Sequence, residues 1–149
     1  MKSIFLTILL YSSIQLFAQQ KIEKLQYAET LIEVPKNCTA KSEYEILDCN
    51  GFSAQWLFFN EEMVKQKINE QIFKQIEGQF DYKSKKSITF FSQNQPFEGF
   101  VYNMKNGSSR IIGFGKVNEI ALLLNLGFQK EPKNNDELTL FEKNFITFK

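Results

Sequence analysis

The sequence has no histidine. This removes the usual general base of Ser-His and Cys-His catalysis, and with it the commonest metal ligand. Arginine is nearly missing as well. Arg110 is the single one, and the other basic residues are lysines. A forked guanidinium suits anion recognition, and it suits equally a strand surface beside Asn103. Cysteine is limited to Cys38 and Cys49. Their spacing excludes a CxxC redox site. If they are paired with each other, thiolate catalysis and cysteine-bound zinc are excluded too.

A charge surplus is also lacking. The chain carries 18 basic and 17 acidic residues, and loss of Lys2 with a leader would leave 17 of each. A balanced chain gives no electrostatic reason to expect nucleic acid or an anionic membrane as partner. There is no long apolar run. Ile4–Leu10 is far short of the ~20 residues that span a bilayer, so no transmembrane anchor is expected in the mature chain. Lys2, that apolar core and the stretch ending at Phe17-Ala18 instead fit a secretory signal peptide over residues 1–18. The expected location is therefore periplasmic or secreted. In that setting an even cysteine count favours a Cys38–Cys49 disulfide. It would close a short loop and stabilise by about 3 kcal/mol on the chain-entropy model.

The remaining 19–149 read as a single domain. Its most informative stretch is an aromatic strand, Phe52–Phe59, leading directly into an amphipathic segment, Glu61–Glu77. Asn60 can cap that segment, Val64, Ile68, Ile72 and Ile76 recur every four residues, and Gly78 can end it. One main helix is expected there. Before it, Leu31–Val34 reads as a strand ended by Pro35, and Asn37–Ser42 as loop. Glu43–Asp48 and Phe52–Phe59 form a hairpin. A three-residue turn with a bulge at Gly51 pairs Tyr44 with Trp56, Ile46 with Ala54 and Glu45 with Gln55, and keeps carboxylates off the aromatic face.

After the helix, Phe80 and Tyr82 can begin a strand, Lys83–Lys86 reads as an exposed turn, Ser87–Ser92 as a strand and Gln93–Pro96 as a loop. A second hairpin is expected over Phe97–Lys105 and Ser108–Lys116, with a two-residue turn at Asn106-Gly107. Its register places Tyr102 opposite Ile111 and Phe100 opposite Gly113. Val117, Ile120, Leu123 and Leu124 suggest a short helix, and Asn135 can cap another. Phe145–Lys149 alternates like a strand. The fold class is therefore α+β: an antiparallel sheet of about five to seven strands, one main amphipathic helix on one face, and two short C-terminal helices.

Candidate chemistry is thin. Glu43, Glu45, Asp48, Glu61, Glu62 and Glu98 could supply paired carboxylates for glycoside hydrolysis, but no spacing among them specifies a site. Gly113-Phe114-Gly115-Lys116 lacks the glycine spacing and the hydroxyl residue of a phosphate loop. Asp48–Gly51 and Asn134–Glu137 hold oxygen ligands without matching a calcium loop. Asn37-Cys38-Thr39 and Asn106-Gly107-Ser108 match the N-glycosylation pattern. No catalytic, cofactor-binding or metal residue is assigned, and no cofactor is expected. Arg110 is the one candidate interaction residue. The expected function is a small exported non-catalytic binding protein with a protein partner, such as an enzyme or toxin that it inhibits, or an envelope component. The competing expectations are a carboxylate-dependent hydrolase of glycan or envelope polymer and a carrier of an apolar small molecule.

Overall fold

The computed structural model describes residues 21–149. The expected leader, residues 1–18, lies outside them. Two short strands come first, β1 (Lys24–Tyr27) and β2 (Thr30–Glu33), paired with each other as a separate two-stranded sheet. The strands β3 (Thr39–Ser42), β4 (Glu45–Cys49) and β5 (Phe52–Phe59) follow as a meander. Two helical segments, α1 (Glu61–Lys65) and α2 (Ile68–Glu77), cross to a second meander of β6 (Tyr82–Ser92), β7 (Gln95–Met104), β8 (Ser109–Val117) and β9 (Ile120–Phe128). The meanders join where β5 pairs with β9, giving one antiparallel sheet of seven strands in the order β3-β4-β5-β9-β8-β7-β6.

Each face of the sheet carries its own core. On one face Trp56, Phe52, Phe90, Phe97 and Leu124 are buried beneath β1–β2 and the C-terminal segment, which contributes Phe145. Trp56 Nε1 donates to the Gln26 carbonyl at 2.9 Å, and the Tyr27 and Ser92 hydroxyls are 2.6 Å apart. On the other face Phe59, Tyr102, Ile112, Ala121 and Leu123 are covered by Met63, Val64, Ile68, Ile72, Phe73 and Ile76 from the helical segments. Asn60 caps α1 as expected, its side chain accepting from Met63 N at 2.8 Å.

The Cys38–Cys49 disulfide is present. It ties the segment before β3 to the end of β4. Asn37–Ser42 is not all loop, because Thr39–Ser42 is the edge strand β3.

The helical elements depart from expectation in three ways. The main helix is divided: Lys67 takes a left-handed conformation (φ 59°) between α1 and α2. The Val117–Leu124 helix is instead strand β9, entered by a two-residue turn in which Asn118 and Glu119 both have positive φ. The helix expected at Asn135 is a single 3-10 turn, Asn135–Glu137, capped by Asn134. A second such turn covers Glu142–Asn144. At the end of the chain, the expected strand reduces to one bridge between Thr147 and Phe91.

The two hairpins exchange their expected turns. In the first, Ile46 pairs with Ala54 and Glu45 with Gln55 as argued, but Cys49 pairs with Phe52 around a two-residue turn at Asn50-Gly51. The extra residue is accommodated by a shift between Ile46 and Cys49, within β4. Trp56 N donates to Tyr44 O at 3.4 Å, as the expected pairing requires, but the Tyr44 side chain is not packed inward. It is 41% exposed, with its ring edge-on to Phe58.

In the second hairpin the loop has a bulged form. Met104 N donates to Ser108 O at 2.9 Å, and Gly107 supplies the positive φ (92°). The pairing is one residue away from expectation: Val101 faces Ile111, Tyr102 faces Arg110, and Gly99 faces Gly113. This register sets Phe97 opposite Gly115 and leaves room for the Phe90 ring over Gly113, so each large ring meets a position without a side chain. Lys83–Lys86 is no turn but part of the continuous edge strand β6. The expected loop at Gln93–Pro96 is a two-residue turn, Gln93-Asn94.

Candidate functional site

The helical cover is narrower than the sheet. It lies over β6–β9 and leaves the face of β4 and β5 beside α2 uncovered. There Leu47 is 51% and Leu57 36% exposed. Between α2 and this bare face runs an open groove of about 650 Å³. Ile72 and Ile76 of α2 form one wall, with Phe80 and Met104 beyond them. Leu47 and Leu57 stand on the other side.

Strand alternation brings polar side chains to the floor. Pairing sets Glu45 beside Gln55 and Gln55 beside Asn125. The next row holds Ser53, Gly127 and Arg110. Gly127 has no side chain, and a Cβ there would lie 3.6 Å from Arg110 Cζ and against Ser53 Oγ. Ser53 Oγ fills that gap, with the Arg110 guanidinium packed beside it. Arg110 Nη1 donates to Asn125 Oδ1 at 3.3 Å, and its Cζ lies 5.6 Å from the Phe80 ring centre.

Arg110 is half-buried. Burial lowers its pKa from the ordinary value, yet an arginine stays charged in a protein. Among the described residues no carboxylate forms an ion pair with it. The nearest candidate on the groove lining, Glu45, is engaged by Lys41 at 3.3 Å. A partly desolvated cation resting on neutral amides is an unbalanced charge.

A second groove, of about 560 Å³, lies on the opposite flank of α2. Its lining is mainly apolar, with Phe73, Phe100, Phe114 and Leu123. Among the described residues, Asn69 Oδ1 is buried there without a hydrogen-bond partner, whereas Glu77 and Lys85 are committed to each other. Glu77 accepts from Lys85 and, at 3.0 Å, from the Tyr102 hydroxyl, while Lys85 also sits 4.0 Å from the Phe100 ring centre. Lys85 holds the Glu77 carboxyl below its ordinary range, whereas burial and then Glu77 push the Tyr102 hydroxyl up. A lowered carboxyl is the reverse of what a general acid requires. This cluster clamps the end of α2 onto β6 and β7.

That clamp has a pH signature. A carboxyl whose pKa is depressed on folding contributes stability above its unfolded value, near 4.3, and loses it as pH falls through the folded value. Glu77→Gln is therefore expected to lower the urea midpoint at pH 7, and the gap from wild type should shrink toward pH 3. A gap independent of pH would show that the lysine pair contributes nothing.

The other carboxylates singled out in the sequence are not brought together. Asp48 accepts from Gly51 N at 2.9 Å in the hairpin turn, Glu61 and Glu62 occupy the first turn of α1, and Glu98 accepts from Thr89 Oγ1. Gly113–Lys116 lies in extended conformation inside β8, so it forms no loop. Asn106 Oδ1 accepts from Ser108 N and Oγ in an exposed turn, and Asn37 bonds Asn50. No group of three metal-binding side chains occurs among the described residues.

Sequence reasoning singled out Arg110 but not its neighbours. Asn125 did carry a signal: it is the lone polar residue in the run Ile120–Phe128. Ser53 and Gln55 were placed by strand alternation on the face opposite the aromatic side chains, with Glu45 beside Gln55, but nothing in the sequence joined them to Arg110. No model of a protein family, no curated protein and no solved structure matches the chain.

Proposed function

We propose that the chain is a small exported binding protein without catalytic activity, and that it engages a protein partner through the groove between α2 and the β4–β5 face. The observation that carries this reading is the half-buried Arg110, left without a carboxylate on the floor of an open groove. The Cys38–Cys49 bond agrees with an oxidising compartment. No helix among the described residues is long and apolar enough to cross a membrane.

The competing readings find less support. A carrier would enclose its apolar ligand, whereas both grooves are open along one side. A carboxylate hydrolase needs two facing acids; this groove holds one, paired with Lys41, and in the other groove Glu70 is paired with Lys67, Glu77 with Lys85, and Glu98 accepts from Thr89. The exposed Leu47 and Leu57 beside the groove extend its apolar surface in the manner of an interaction site.

The mature chain, used for affinity capture from its own host, should retain a defined protein. Leu57→Asp should reduce that retention roughly tenfold or more while the variant stays folded, because Leu57 is already partly exposed. Turnover of an envelope polymer by the pure protein, with nothing captured, would overturn the proposal. So would a partner that Leu57→Asp retains in full.

A further inference from the structure

We infer that the groove receives one carboxylate, carried on a segment of the partner protein between aliphatic side chains, and that Arg110 is the group that binds it. This rests on the binding reading above and specifies its ligand. The guanidinium has five N–H donors, and among the described residues one of them is hydrogen-bonded, to a neutral amide. Ser53, Gln55 and Asn125 line the same groove and can complete the hydrogen bonds of a bound oxyanion.

The charge of the lining decides which anion fits. Arg110 is its sole cation, and Glu45 stands at the far side of the floor. One guanidinium balances a monoanionic carboxylate. A phosphate, with up to two charges, would remain undercompensated. The walls decide what accompanies the carboxylate. Ile72 and Ile76 on one side, and Leu47 and Leu57 on the other, offer aliphatic contact at both flanks of the polar floor. The groove opens onto the uncovered sheet face, so the chain bearing the acid can continue along that face instead of ending inside a pocket.

The test is selection from a random peptide display library on the disulfide-bonded chain, followed by affinity measurement on the enriched peptides. Those peptides are expected to hold Asp or Glu between aliphatic residues. Exchanging that acid for its amide should weaken binding roughly tenfold or more, as should Arg110→Met, with Arg110→Lys in between. The exchange on the peptide probes the same contact without altering the fold of the protein. Enriched peptides that lack an acid, or that bind equally well as amides, would overturn the carboxylate assignment. The groove reading would survive that result if Leu57→Asp still abolished binding. Binding indifferent to Leu57→Asp, or no enrichment at all, would overturn both.

Discussion

Trp56→Ala should destabilise the protein by about 3–5 kcal/mol, a large share of the roughly 5–15 kcal/mol that holds a domain of this kind together. The indole is fully buried near the middle of β5, where the two meanders meet. Its ring lies 5.1 Å from that of Tyr27, edge-on, and 5.4 Å from that of Phe145. Its Nε1 also holds β1 through the Gln26 carbonyl. Truncation therefore opens a cavity beneath the elements that, among the described residues, cover this face. Trp56→Phe keeps most of the ring contact and loses the hydrogen bond, so it should cost less, about 1–2 kcal/mol. Urea midpoints followed by far-ultraviolet circular dichroism would measure both, since the sole tryptophan cannot serve as the probe of its own removal. A midpoint for Trp56→Ala within error of wild type would contradict the packing described for this face.

Removing the Cys38–Cys49 bond should cost about 3 kcal/mol on the chain-entropy model. The bond spans 11 positions, so the loop it closes is short. The local effect should be uneven. β3 is a four-residue edge strand with irregular pairing to β4. In the Cys38→Ser, Cys49→Ser double variant, amide exchange at Thr39–Ser42 should therefore approach that of free chain, while Val101 and Ile111 keep protection. Mass measurement without reductant should find the bond in the exported protein. Two alkylatable thiols there, or a double variant as stable as wild type, would refute the assignment.

Much of the architecture could be read from the residues, and the failures share physical causes. The antiparallel class, a sheet of up to seven strands, the Asn60 cap and the Ile46–Ala54 pairing followed from alternation and turn chemistry. Strand β9 was misread because it is buried on both faces. Ile120–Phe128 is apolar almost throughout, and such a run has no period that separates strand from helix. Its turn gave no help either. Asn118-Glu119 contains no glycine, and neither do Ala28-Glu29 or Gln93-Asn94, although all six residues have positive φ. The rule that looks for Asn-Gly therefore finds two of the hairpins and passes over four, the Glu43-Tyr44 connection of β3 to β4 included.

Lys83–Lys86 looked like a turn for a related reason. Lysines are also what an edge strand displays to discourage pairing with another chain. The division of the helix at Lys67 has no sequence marker, since neither glycine nor proline is present there. Arg110 stood out by rarity alone. Its surroundings depend on Gly127 and Asn125 lying on a strand, and so became legible only with β9 in place.

The joining of the two meanders at β5 and β9 has a consequence for how ordering entropy is distributed. Every other pairing in the large sheet closes a connection of two to four residues. Such closures are local and fast. The pairing of Phe59 with Ala121 closes roughly sixty residues at once, a cost that grows with the logarithm of the span. The long-range entropic cost of the sheet is thus concentrated in a single pair of strands. Trp56, facing Leu124 across that pair, buries its ring at the contact where the cost is greatest.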